Sequence, residues 1–129
     1  MTSRHFIHKL ATDRSGSTVV EFAIVGPTLV VLIIGAIYTS MVGFTAASLH
    51  YAVQAAARCE SINTSTCSDA NTTQTFAGNA FTNLTGATPT FNATSASCGS
   101  QVTGSISFTF NTGLRNFTIP LSSTACFPA

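Results

Sequence analysis

Residues 22–44, FAIVGPTLVVLIIGAIYTSMVGF, form an apolar run of twenty-three positions without a charged side chain. A helix needs about 20 apolar residues to cross the hydrocarbon core of a bilayer. A cleavable secretory signal has a shorter apolar region, of about 7–15 residues. We therefore predict a membrane-spanning helix over residues 22–44, and removal of this run as a signal peptide is the minority alternative.

The charge pattern of the whole chain also points to lipid. Charged residues make up 7% of the chain and its mean hydropathy is +0.38, whereas ordinary soluble domains are about 25% charged. Arg4, Lys9 and Arg14 precede the apolar run, and only Arg58 and Arg115 follow it. The basic end should therefore stay in the cytoplasm, with the remainder translocated. The sparse distal basic residues also argue against a nucleic-acid surface.

The predicted helix is longer than the membrane is thick. Residues 46–58, AASLHYAVQAAAR, contain no glycine or proline that would stop it. We expect one helix over 17–58, with its second part extending beyond the membrane as a stalk. Pro27 removes a backbone donor, which predicts a kink there. An ordinary membrane-helix proline without a hinge role fits equally well.

Small side chains recur every four residues along this helix, which places them on one face. The stripe consists of Gly35, Thr39, Gly43 and Ala47. Such a stripe lets another helix approach closely and favours helix association. Small residues are common in membrane helices in any case, so ordinary composition is the alternative.

The distal part, residues 59–129, contains all four cysteines of the chain. An even number of cysteines on the translocated side predicts two disulfides. Three pairings are open, and the most economical one joins Cys59 to Cys67 and Cys98 to Cys126. Close CxxC or His spacing, which a zinc site would need, is absent, so no metal is expected.

Local patterns in the distal part predict an α+β fold. The helical pattern runs over 69–84, capped by Ser68 or Asp69 and ended by Gly86. Apolar residues then alternate over 102–110 and again over 117–121, which predicts two antiparallel strands joined across 111–116. We expect a long transmembrane helix extending into a stalk, then a small disulfide-stapled domain with one short helix and a β-hairpin or small antiparallel sheet.

A glycine and a glutamate flank the start of the long helix. Gly16 ends a polar basic leader, and its lack of a side chain suits an extended segment that a peptidase can admit. Glu21 stands beside lipid, where a carboxylate usually has a partner or a role. An α-amino group on Ser17, about one helical turn away, could be that partner. Taken alone, Glu21 fits better as an interfacial acid that meets the positive end of the helix dipole and has no assembly role.

The run RSGSTVVEFAIVGPTLVVLIIG resembles the start of TadE-like proteins, pseudopilins of the tight-adherence (Flp) pilus system, with the match covering about residues 13–45. The shared pattern is Arg-x-Gly, then Val-Glu-Phe-Ala and a following proline. The resemblance implies that a prepilin peptidase cleaves between Gly16 and Ser17 and removes residues 1–16. It also implies that Glu21, beside Phe22, pairs with a subunit's N-terminal amine and sets the register of subunits.

The expected function is structural: a minor pseudopilin-like component of a Tad/Flp-type pilus or related secretion apparatus. It would sit in a bacterial inner membrane with a cytoplasmic N-terminus and a periplasmic distal domain, and incorporation into an extracellular pilus is compatible with this. Its partners would be the membrane, the prepilin peptidase, other pilins and the assembly machinery. The alternative is a single-pass, membrane-anchored extracytoplasmic binding module that is not processed as a pilin.

Catalysis is not expected, because the distal region lacks an evident acid–base pair beside its many hydroxyl groups. Its charged residues are Arg58, Glu60, Asp69 and Arg115, and no histidine follows His50. No cofactor and no small-molecule substrate are expected for the same reason.

Overall fold

The computed structural model describes residues 15–82, 84, 86–111, 113 and 115–128. Two helices precede three strands, which is an α+β architecture and confirms the predicted class. The chain divides into two compact units, the first ending at Thr39 and the second beginning at Ser40. The elements are α1 (Ser15–Ile62), α2 (Ala70–Ala80), β1 (Thr90–Ala96), β2 (Gly99–Asn111) and β3 (Asn116–Phe127).

Helix α1 exceeds the predicted range of 17–58 at both ends and continues through Pro27 without a break in its assignment. It ends in a tight turn, where the Asn63 N–H donates to the Cys59 carbonyl at 2.8 Å and the Cys67 N–H donates to the Asn63 carbonyl at 3.0 Å. A disulfide between Cys59 and Cys67 closes this turn. The helix end is therefore held by backbone bonds and by a covalent link.

The apolar part of α1 qualifies as a membrane span. Within the described residues, one helix has the length and composition to cross a bilayer, over Thr18–Ile62, with a mean hydropathy of 2.3 in its most apolar window. None of that window is buried within the chain. A helix that is apolar on all sides is either buried in a large core or surrounded by lipid. The exposed apolar surface of α1 is therefore suited to lipid.

Helix α2 begins where the sequence predicts and ends earlier. Asp69 is its N-cap: the Thr72 N–H donates to Asp69 Oδ1 at 2.8 Å, and the Asp69 N–H donates to Thr72 Oγ1 at 3.1 Å. This reciprocal pair is a capping box. It lowers the pKa of Asp69, chiefly through the hydrogen bond from the Thr72 backbone.

The predicted end of this helix at residue 84 is wrong. The helix ends at Ala80, and Phe81 is extended, with φ −79° and ψ 124°. The Thr82 N–H donates to Ser48 Oγ on α1 at 2.8 Å, and the Phe81 ring contacts the Phe91 ring edge-on. These contacts with α1 and β1 replace the helical bonds that the local pattern predicted.

The three strands form an antiparallel sheet in the order β1–β2–β3. The predicted hairpin is present as β2 and β3, which pair from Ser100 opposite Phe127 to Asn111 opposite Asn116. Strand β1 was not predicted, because TFNATSA has few large apolar residues and no clear alternation. It pairs with β2 along its whole length.

The central cluster of the second unit is built from small and β-branched side chains, and α1 supplies half of it. The buried cluster consists of Val53, Ala56, Ala57, Ala77, Ala93 and Val102. Alanines on α1 allow a close approach of the helix to the sheet, and Gly104 extends that approach. A Cβ atom at Gly104 would lie 2.9 Å from Leu49 Cδ1 and 2.9 Å from Phe91 Cε1.

Both disulfides have the pairing that we considered most economical. Cys98 lies in the turn between β1 and β2, and its partner Cys126 lies on β3 opposite Gln101. The bond therefore crosses β2 and ties the turn to the far strand. In a domain of this size, such links compensate for a small hydrophobic core.

Candidate functional site

The predicted processing site lies in the first turn of α1. Gly16 is helical and exposed, and a Cβ atom there would have no neighbour within 4 Å. The expectation of an extended segment at Gly16 therefore does not describe the structure, in which the helix already begins at Ser15. A peptidase that needs an extended segment would have to unwind the helix locally at Gly16.

Glu21 follows Ser17 by four residues on the same helix, which is about one turn further along. The Glu21 side chain is exposed, and its neighbours Val20 and Phe22 are 60% and 76% exposed. The carboxylate is thus accessible to an amine from its own chain or from another chain. The apolar neighbours make a lipid or protein environment the natural surrounding for this turn.

Threonine hydroxyls on α1 are satisfied within the helix. Thr28 Oγ1 donates to the Ile24 carbonyl at 3.0 Å, and Thr39 Oγ1 donates to the Gly35 carbonyl at 2.8 Å. Bonds of this kind remove the cost of placing a hydroxyl in hydrocarbon. The polar residues of the span therefore do not argue against a lipid environment.

The four residues of the small stripe are all exposed. Gly35 and Thr39 belong to the first unit, and Gly43 and Ala47 belong to the second. Cβ atoms at Gly35 and Gly43 would have no neighbour within 4 Å. Each position is therefore open to a helix from another chain.

An open groove of about 520 Å³ lies at the C-terminal end of α1, within the second unit. Its volume is in the range of ligand pockets. The surface is mainly apolar, and Arg58 provides a cation at its side. The lining residues are Tyr51, Gln54, Ala55, Arg58, Cys59, Ile62, Asn63, Thr66, Phe76 and Phe127. The groove could receive an apolar side chain or a short peptide segment.

His50, Gln54 and Ser123 form a hydrogen-bonded trio that the sequence does not predict. His50 Nδ1 and Ser123 Oγ are 2.9 Å apart, and Gln54 Nε2 and His50 Nε2 are also 2.9 Å apart. Ser123 is 73 positions away in the sequence, and no local pattern indicates the contact. The trio connects β3 to α1, and it includes no carboxylate that could orient the histidine as a catalytic base.

The cysteines and the basic leader are the remaining predicted site residues. All described cysteines are in disulfides, and the described residues contain no group of three or more potential metal ligands. Arg4, Lys9 and Arg14 of the leader lie outside the described residues.

Residues 16–58 match the model of the family described as TadE-like protein. This confirms the suspected resemblance and extends it beyond residue 45 to Arg58. The match covers about a third of the chain, from Gly16 to Arg58 near the end of α1. No curated protein and no solved structure matched the chain.

The match associates this chain with the Tad pilus machinery and with the membrane. Together with the candidate span near the N-terminus, it indicates a membrane-anchored protein. The residues beyond Arg58, including α2 and the sheet, lie outside the matched segment.

Proposed function

We propose that this protein is a minor pseudopilin-like subunit that helps to assemble a Tad/Flp-type pilus or a related secretion apparatus. It is made as a single-pass precursor with a cytoplasmic leader and a periplasmic domain, and a prepilin peptidase cleaves it after Gly16. Its work is structural, and it performs no catalysis itself.

The observation that carries this proposal is the match over residues 16–58, which begins at the glycine of the proposed cleavage site. Three features of α1 support it. Gly16 is exposed near the described start of α1, Glu21 is exposed one turn after Ser17, and the small stripe is open to a neighbouring helix.

Glu21 has a clear physical task in this scheme. A carboxylate next to lipid is costly unless it is paired. Cleavage after Gly16 would create an ammonium group on Ser17, and that group could neutralise Glu21 of the same chain or of a neighbour. Pairing between chains would hold the subunits at one axial position, because any shift along the helix would separate the charges in a medium of low dielectric constant.

The small stripe would act beside this pair. Once charge pairing sets the axial position of two helices, the stripe from Gly35 to Ala47 would allow their backbones to pack closely. Charge would provide register, and small side chains would provide contact area.

Mass spectrometry of the membrane-extracted protein tests the processing step. In cells with an active prepilin peptidase, we expect an N-terminus at Ser17; in a peptidase-deficient strain, we expect the intact leader. A Gly16→Val variant should keep the leader in both strains. An uncleaved N-terminus in the peptidase-positive strain would contradict the proposal.

The groove at the end of α1 favours the second candidate, a membrane-anchored binding module. In that case α1 would only tether the domain, and the groove beside Arg58 would hold the ligand. Replacing residues 1–44 with an unrelated membrane anchor separates the two functions. Normal piliation with the foreign anchor would support the binding module. Loss of piliation would support the pilin-like role of α1.

A further inference from the structure

We propose that the end of the β2–β3 hairpin contacts the outer surface of the membrane and forms a second, lipid-facing contact beside the spanning helix. The inference rests on the proposed single-pass topology. The partner of the residues around the hairpin turn is a lipid surface. These residues lie outside the segment that the TadE-like family matches.

The hairpin end carries an apolar cluster that the domain covers only in part. Phe108 is 3% exposed, whereas Phe117 and Ile119 are 47% and 36% exposed. The Phe110 and Phe117 rings stack at 5.5 Å between centroids, and those of Phe108 and Phe110 are 6.3 Å apart. Because Phe110 pairs with Phe117 and Phe108 with Ile119, all four lie on the face of the sheet that packs on α1. Coverage of this face decreases toward the turn.

The contacts between α1 and β2 give the direction of the hairpin. Val102 lies in a cluster with Val53, Ala56 and Ala57, whereas Gly104 lies against Leu49 and Val53. As β2 proceeds toward the turn, its partners on α1 therefore have lower residue numbers. Strand β2 runs opposite to α1, toward the end of the helix that continues into the apolar span.

Simple lengths bring the turn at least to the level of the membrane boundary. Asn111 is seven residues beyond Gly104, or about 23 Å along an extended strand. Phe44, the last residue of the predicted span, precedes Leu49 and Val53 by five and nine residues, or about 7 to 14 Å along a helix. The strand therefore reaches the level of Phe44 even if it crosses the helix at a large angle.

The charge at the hairpin end suits a lipid headgroup. Arg115 is the only charged residue between Ile106 and Ala125. A long basic side chain can lay its stem on apolar surface and keep its charge among phosphates. The direction of the strand favours the bilayer over a second copy of the chain as the partner.

Single tryptophans report the contact, because the chain contains none. The full chain would be reconstituted in phosphatidylcholine–phosphatidylglycerol vesicles as Phe117→Trp, Ile62→Trp or Ile33→Trp. Ile62 is 66% exposed and lies about 27 Å beyond Phe44 along α1, so it serves as the control far from lipid. Ile33 lies in the apolar run and reports the span itself. Quenching would be measured with iodide in the water, with lipids brominated near the headgroup and, for Ile33→Trp, with lipids brominated deep in the chains.

We expect the brominated lipids to quench Phe117→Trp strongly, and iodide to quench it much less than Ile62→Trp. Equal iodide quenching of the two would overturn the contact. Shielding of Phe117→Trp from both quenchers would mean that protein covers the patch, and would also overturn it. If lipids brominated deep in the chains fail to quench Ile33→Trp, then α1 does not span the membrane. The proposed hairpin contact would be overturned with it.

Discussion

Gly104 on β2 lies so close to Val53 on α1 that a Cβ atom on the glycine would be 2.8 Å from Val53 Cγ2. Val53 and Gly104 are both fully covered in the core of the second unit. This approach holds the sheet against the helix, and it requires the absence of a side chain at position 104.

We therefore expect Gly104→Ala to destabilise the distal domain by about 1–3 kcal/mol, the usual cost of overpacking a core. Gly78→Ala is the matched control, because Gly78 is an exposed position in α2 with nothing within 4 Å of an added Cβ atom. It should stabilise the domain by about 0.4–1 kcal/mol. Thermal unfolding of the full chain in detergent micelles, followed by circular dichroism, would measure both. Equal effects of the two substitutions would contradict the close packing.

The two disulfides should contribute unequally to stability. They close loops with sequence separations of 28 for Cys98–Cys126 and 8 for Cys59–Cys67. A chain-entropy estimate gives about 3.6 kcal/mol for the longer loop and about 2.6 kcal/mol for the shorter one. Paired Cys→Ser variants, compared by denaturant unfolding in the same micelles, should therefore rank in that order. The reverse order would mean that the disulfide at the turn after α1 contributes more to stability than the disulfide at the sheet.

The capping box at Asp69 should make α2 sensitive to acid. The bond from the Thr72 backbone lowers the pKa of Asp69 in the folded chain, so its contribution to stability is present above the unfolded-state pKa of about 3.9. That contribution decreases as the pH falls below this value and is lost below the folded-state pKa. At neutral pH, Asp69→Ala should unfold at a lower temperature than the wild type. The gap should narrow below pH 4, and a gap that is constant with pH would contradict an ionised cap.

Replacing the carboxylate of Glu21 tests its proposed pairing. Glu21→Gln keeps the size and removes the charge, so membrane insertion should be retained while the number of pili per cell decreases. Glu60→Gln, at the other glutamate of the chain and outside the apolar run, is the control and should leave pilus number unchanged. Normal piliation by Glu21→Gln would remove the assembly role that we assign to this residue.

The small stripe can be tested by filling it. Gly35→Leu and Gly43→Leu should reduce piliation, because a large side chain prevents close helix approach. Gly26→Leu is the control: it lies nine residues from Gly35, on the opposite side of the helix at 3.6 residues per turn. A Cβ atom there would meet only the Phe22 ring, at 3.7 Å. Equal loss with all three variants would indicate a general effect of bulk rather than a packing face.

Much of the fold follows from local patterns. The uncharged run over 22–44 and the uninterrupted segment after it predict α1, and the alternation over 102–110 and 117–121 predicts the hairpin. The cap at Asp69 is also visible in the sequence, because capping involves residues three positions apart. Gly16 and Glu21 at the start of α1 lie in the segment that the TadE-like family matches, and their pattern indicated this family from the sequence.

Local sequence is sufficient to define the apolar helix, the hairpin and the start of α2, because each depends on the periodicity or chemistry of neighbouring residues. Long-range contacts set where α2 ends, make β1 a strand and bring His50 to Ser123. The Thr82 N–H leaves the helical pattern for Ser48, which is 34 positions away, and β1 gains its hydrogen bonds from β2 rather than from any strong preference of its own. These distant residues come together only when α1 packs on the sheet. The absence of a side chain at Gly104 makes room for Val53 at that contact.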